Sequence, residues 1–220
     1  VKRAKELNMP AVGITDHGNM HGAYEMWSTA VKEGVKPIIG IEAYVTPETA
    51  RQDQTRVSWD TNWNPDIDPQ HRRRNPNDVS GGGLITHLTM WAETDEGLVN
   101  LMKASTDANL EGRVMRYPRM DKEILAKYSK GIIASSGCPS GIIQTRLLLG
   151  QFDEALRAAG ELQDIFGRDN FYIEFMDHGL KIEKQVTDGL LDIAKKLNAP
   201  LLATNDSHYV RAEDAGSQDA

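Results

Sequence analysis

The stretch AVGITDHGNMHG, Ala11 to Gly22, runs from an apolar, β-branched segment into Thr15, Asp16, His17, Gly18 and Asn19. A helical pattern follows at once. Ala23, Met26, Trp27, Ala30 and Val31 recur at i, i+3, i+4, i+7 and i+8, one apolar face that reads as core and is closed by Gly34. Strand, polar turn and helix in that order open an α/β fold. The acid and the imidazole at the turn are the first candidate chemistry.

The same alternation continues along the chain. Strand candidates are Pro10 to Thr15, Pro37 to Val45, Leu84 to Thr89, Gly131 to Ser135, Phe171 to Met176 and Leu201 to Thr204. Between them, a helix capped by Thr94 or Asp95 buries Leu98, Leu101 and Met102. Another starts near Phe152 with Ala155, Leu156, Ala159, Leu162, Ile165 and Phe166 on one face and Gly167 after its end, and a further one carries Ile182, Val186, Leu190, Ile193 and Leu197 before Pro200. Alternating strands and helices predict a parallel sheet, open or closed into a barrel. The long interruption, about residues 48–83, is polar and rich in Pro, Asn, Asp and Gly, and reads as a surface insertion. Its HRRRN run has the charge to touch a phosphate backbone, although a short charge run is usually a solvated loop.

The totals narrow the function classes. A chain of 220 residues buries a sizeable core, and a formal net charge of −7 argues against nucleic-acid binding by a broad basic surface alone. The single cysteine, Cys138, forms no intrachain disulfide, which turns attention to ligation or packing. With no apolar run of transmembrane length and no signal-peptide pattern, the expectation is a soluble cytoplasmic protein with no membrane partner. The opening VKRAKELNMP has no initiator Met and RAEDAGSQDA stops in a polar stretch, so the expectation is a piece of something longer.

In parallel α/β folds reactive side chains gather at the carboxyl ends of strands. The candidate strands deliver Asp16 and His17 from TDHGN, Glu42 from IGIEAYV, His87 from THL, Cys138 from SSGC, and Asp206 and His208 from TNDSH. Imidazole, thiolate and carboxylate together suit zinc, manganese or iron better than magnesium or calcium. Asp206 and His208 are two apart, so an extended segment points both to one face. Each residue alone has a plainer reading: His87 as a hydrogen-bonded core residue, Asp16 or Asn205 as a turn cap, Cys138 as a small buried hydrophobe, Glu42 as the partner of a basic side chain. Their convergence on several strand ends favours a multi-metal site. His178, also at a strand end, gains less from that argument.

The motifs TDHGNMHGAYEMW, GVKPIIGIEAYV, THLTMWAE, GIIASSGCPSG, LGQFDEAL, FMDHGL and ATNDSHYV resemble the PHP domain of the bacterial DNA polymerase III alpha-subunit family, in its actinobacterial form, over essentially the whole chain. The resemblance implies a distorted seven-stranded β/α barrel, incomplete here because the first strand with its His-x-His motif would precede residue 1. It implies up to three divalent metal ions (Zn, Mn or Fe) held by His17, Glu42, His87, Cys138, Asp206 and His208. Asp16 and Asn205 would orient them, and His17 and Asp206 would act through the bound metals. The implied activity is a metal-dependent 3′→5′ proofreading exonuclease within a DNA-directed DNA polymerase, whose catalytic magnesium would lie outside this chain. Primer-template DNA and replisome subunits such as the sliding clamp would be the partners. Two other readings remain at this point: a structural platform for the polymerase core, and a stand-alone phosphoesterase of the histidinol-phosphatase type.

Overall fold

The computed structural model describes residues 1–60, 75, 78 and 81–218. Along the chain run α1 (Lys2–Glu6), β1 (Ala11–Ile14), α2 (Ala23–Glu33), β2 (Lys36–Val45), β3 (Thr86–Ala92), α3 (Asp95–Glu111), β4 (Arg113–Val114), β5 (Tyr117–Met120) and α4 (Lys122–Lys127). After them come β6 (Ile132–Ser135), α5 (Ile142–Leu148), α6 (Phe152–Phe166), β7 (Phe171–Phe175), α7 (Lys181–Leu197), β8 (Leu201–Ala203) and α8 (Ala215–Gln218). Every strand candidate of the sequence forms a strand, and the short hairpin of β4 and β5 is an addition.

The sheet order is β4-β5-β2-β3-β6-β7-β8, with β1 also on β2. β1 pairs in parallel with the first half of β2, from Ala11 opposite Lys36 to Ile14 opposite Ile39, and β5 pairs in parallel with its end. β6, β7 and β8 are parallel neighbours, with α5, α6 and α7 making the crossovers. β3 departs from the all-parallel expectation: it is antiparallel to both β2 and β6. An antiparallel neighbour needs no crossover helix, and the polar connection between β2 and β3 lets the chain turn back. The result is an α/β fold with a mixed sheet, consistent with a distorted β/α barrel.

The main core joins Ile41, Ala43, Leu88 and Met90 of the central strands to Leu101, Ala104 and Ala108 of α3 and to Ala155, Ala159, Leu162, Val186, Leu190 and Ile193 of α6 and α7. Thr94 caps α3 by accepting from the amide of Gly97 at 3.1 Å. A Cβ on Gly97 would lie 1.7 Å from the carbonyl oxygen of Gly131, so that helix sits against the start of β6 at a distance only glycine permits. The small residues on α3 face inward and Met102 is left about half exposed, against the sequence reading. The reading of α2 needs a larger correction: Ala30 is buried, but Trp27 and Val31 are exposed. Among the described residues β1 pairs only with β2, so the sheet beneath α2 is too narrow to cover the whole apolar face.

The described part of the insertion is packed down at several points, with residues 52–56 exposed between them. Trp59 is buried, the Arg146 guanidinium stacks 4.1 Å over its ring, and Gln151 Nε2 donates to its carbonyl at 2.8 Å. Arg119 is fully buried and donates to four carbonyls, those of Gly112, Leu84, Arg51 and Asp53. Glu48 accepts from Arg146 and from Arg157, the latter at 2.6 Å, tying the segment to α5 and α6. Residues 71–74 of the HRRRN run lie outside the described residues.

Replacing Arg119 by Met removes the side-chain donor from all four carbonyls, of which that of Gly112 keeps the backbone amide of residue 119, and should cost about 3 kcal/mol or more. Urea unfolding of Arg119→Met checks this, and an unchanged midpoint would refute it. Burial pushes the Glu48 carboxyl up, but the hydrogen bonds from Arg157 and Arg146 outweigh burial and hold it below the usual carboxylate range. A carboxyl lowered in the folded state binds fewer protons there than in the unfolded chain. Its stabilisation is therefore full above the unfolded value of about 4.3 and is lost as pH falls through the folded value. Unfolding free energy should fall more steeply in acid for the native protein than for Glu48→Gln; parallel acid limbs would contradict the assignment.

Candidate metal centre

β2 is the scaffold of the site. Glu42 lies opposite Thr89 and Tyr44 lies opposite His87 in the β2–β3 ladder, so Glu42, Tyr44, His87 and Thr89 share one face. On the other side of β2, the amide of Glu42 donates to the carbonyl of Asp16 at 3.0 Å and the amide of Gly18 donates to the carbonyl of Glu42 at 2.9 Å, a parallel bridge that extends β1 past its end. The chain thus sets His17 and His87 on either side of Glu42. Because β3 is antiparallel, its first residues reach the same rim as the ends of the parallel strands.

The turn after His17 is built by its own polar residues. Asp16 Oδ2 accepts from the amide of Gly22 at 2.8 Å, Asn19 Oδ1 accepts from the amide of His21 at 3.0 Å, and Asn19 Nδ2 donates to the carbonyl of His17 at 2.9 Å. Gly18 has φ +67°, and a Cβ there would meet the Tyr44 ring at 2.6 Å. The Tyr44 ring in turn stacks on His17, 9° from parallel at a centroid distance of 6.0 Å.

Glu42 is 4% exposed. Its Oε1 is 2.7 Å from His87 Nδ1 and its Oε2 is 3.8 Å from His17 Nδ1. Burial pushes this carboxyl up, and the hydrogen bond and charge of His87, with the charge of His17, more than offset it, so it lies below its ordinary value. Ligand atoms of His17, Glu42 and His87 all lie within 4.8 Å of one another, a triad able to hold a divalent metal ion. A buried carboxylate flanked by two imidazoles is a donor set that fits such an ion.

Cys138 completes the floor of the cluster. Its Sγ is 3.4 Å from His87 Nδ1 and 3.5 Å from Glu42 Oε1. Burial, and then the Glu42 carboxylate, push the thiol far above its ordinary range. The loop bearing it is tied to β3, with the amide of His87 donating to the carbonyl of Ser140 at 3.0 Å.

Asp206 and His208 stand on the exposed rim. The His208 ring is 6.0 Å from that of His17. Burial and the charge of Glu42 raise the Asp206 carboxyl, against the opposing charges of His208, His17 and His87. The ligand roles of Asp206 and His208 are not part of the compact triad, whose members are His17, Glu42 and His87. Asn205 offers its carbonyl to His178 at 2.9 Å.

Sequence reasoning passed over Tyr44, whose position two residues after Glu42 places it on the same strand face, and Glu174. The Glu174 carboxyl is buried, accepts from the hydroxyls of Ser135 and Thr204, and so links β6, β7 and β8 behind the cluster. Burial raises it above its ordinary value. Glu183, which meets His178, was likewise invisible as a site residue because its position on α7 matches an ordinary helix-terminal acid.

The family model of the PHP domain matches residues 1–178. DNA polymerase III subunit alpha of Mycobacterium tuberculosis is 51% identical over 216 residues, covering 98% of this chain and 17% of that protein. The same subunit of Saccharopolyspora erythraea is 52% identical over 217 residues, 99% of this chain and 18% of its own length. That of Treponema pallidum is 37% identical over 219 residues, 100% of this chain and 17% of its own. The chain spans about a sixth of the length of these relatives. Among the described residues no helix is long and apolar enough to cross a membrane. With the match extending through β1 to β7 and taking in His17, Glu42, His87 and Cys138, the chain belongs to the PHP domain family, and its sequence is similar to the part of that family found in actinobacterial DNA polymerase III alpha subunits.

Proposed function

We propose that this chain serves as the PHP domain of a bacterial replicative DNA polymerase and that its cluster is a metal-dependent phosphodiesterase, acting as a 3′→5′ proofreading exonuclease. The observation that carries the reading is the buried Glu42 carboxylate set between His17 and His87, with the Cys138 thiol in contact with both Glu42 and His87. His17, Glu42, His87, Cys138, Asp206 and His208 would hold the ions, up to three of Zn, Mn or Fe. Such ions supply an activated water and charge stabilisation for a phosphate in transit.

The chain's own residues divide the remaining work. Glu42 and Cys138 form a floor closed to solvent, while His17, Asp206 and His208 are open to it, which leaves room for a phosphate at the rim. Asp16 holds the turn that presents His17. Primer-template DNA, replisome subunits and a cytoplasmic setting follow from the polymerase reading, supported by the likeness to DNA polymerase III alpha subunits. Magnesium for synthesis would bind elsewhere in the intact polymerase.

In the intact protein, elemental analysis should find divalent metal, and His17→Ala and Asp206→Ala should each lower both metal content and Mn²⁺-dependent removal of a mispaired 3′ terminus, the latter by at least about 100-fold. Full hydrolysis by both variants would refute the catalytic reading. Metal that is present without any hydrolysis would also refute it, and would make the cluster a fold-stabilising centre.

A further inference from the structure

β7 gives no member of the cluster, yet it lies between β6, which leads to Cys138, and β8, which leads to Asp206 and His208. Just beyond β7, the ring of His178 is engaged at both nitrogens. Nδ1 is 2.6 Å from Glu183 Oε1, and Nε2 is 2.9 Å from the carbonyl oxygen of Asn205. The Glu183 side chain is 5% exposed, and its other oxygen accepts from the amides of His178 at 2.8 Å and Leu180 at 3.2 Å. This carboxylate is therefore fixed at the start of α7, and it fixes the ring in turn.

Two acceptors face the two ring nitrogens, an arrangement that favours a proton on each. The hydrogen bond to Glu183 holds the His178 pKa above its ordinary value. With both nitrogens engaged, the ring faces the Glu183 carboxylate and the Asn205 carbonyl. What it holds is the carbonyl of the residue before Asp206, and Asp206 itself has φ +42°, a left-handed conformation. Within the loop, His208 Nδ1 donates to the Asp206 carbonyl at 2.7 Å. The loop is exposed, and His178 is placed to anchor it from outside.

We propose that His178, locked by Glu183, is a positioning residue that grips the Asn205 carbonyl and so keeps Asp206 and His208 turned toward His17 and Glu42. The purpose assigned to this grip rests on the metal-centre reading, whereas the grip itself is a contact within this chain.

Millisecond-resolved hydrogen exchange on the intact protein without added metal tests it. His178→Ala should speed exchange in residues 204–209 by about 10-fold or more, with β6 and α7 unchanged. His178→Gln, whose amide nitrogen reaches the position of Nε2 and can donate to the same carbonyl, should restore protection. Unchanged exchange in His178→Ala, equal loss in His178→Gln, or loss of protection throughout the sheet would each overturn the proposal. Titration with Mn²⁺ alone should then show affinity lowered about 10- to 100-fold in His178→Ala, the range expected when a group behind a ligand is lost, and recovered in His178→Gln. An unmodified protein that bound no Mn²⁺ but kept the exchange pattern would sink the metal reading and leave the grip standing.

Discussion

A carboxylate buried in the middle of a strand is the constraint on which the site depends. Taking Glu42 out of water costs several kcal/mol unless opposing charge or hydrogen bonds replace the solvent. Among the described residues its ion-pair partners are His17 and His87, one from each side of β2. The compensation can come only if β2 has a neighbour on both edges at that level. The bridge from Asp16 to Gly18 provides one and the antiparallel β3 provides the other. The topology around β2 and the presence of a charge in its interior are therefore two sides of one arrangement.

The electrostatics of that pocket would change sign with a cation. Cys138 is buried and faces the Glu42 carboxylate, and both push its thiol up. The same proximity that raises its pKa would place a thiolate and a carboxylate on one ion, because a bound dication is the largest local charge and reverses the preference. Among the described residues Glu174 has no comparable partner: its side chain accepts from the Ser135 and Thr204 hydroxyls, and burial leaves it raised. Two buried glutamates one strand group apart thus differ in character because imidazoles face one and hydroxyls face the other.

The strands were legible because β-branched apolar runs between turn residues are a local signal, and the ligand-type residues stood out because several of those runs end in one. The direction of β3 was not legible, since an apolar run reads the same forward and backward and only the ladder fixes its sense. Periodicity identified the apolar face of α2 but carried no information on what covers it, hence the exposed Trp27 and Val31. Arg119 gave no sign of its burial because its partners are backbone carbonyls, which have no residue type. His178 and Glu183 are five apart across a loop and a helix start, a spacing with no regular period, so their contact emerges only in three dimensions.

The candidate ligands are held by two different kinds of structure. His17, Glu42 and His87 are registered by backbone ladders on both edges of one strand, which fix their Cα positions through many cooperative hydrogen bonds. Cys138, Asp206 and His208 sit on loops, whose positions depend on local contacts such as those of the Ser140 carbonyl with β3, the Gly137 carbonyl with Gln144 and the Asn205 carbonyl with His178. A coordination site tolerates displacements of only about half an ångström. Ladder-held ligands meet that tolerance through the sheet itself, but loop-held ligands meet it only as well as their anchors do. The compact triad lies where the sheet fixes it, Cys138 is brought against it by a loop tied to β3, and the placement of Asp206 and His208 on the rim is passed to a side chain outside the triad.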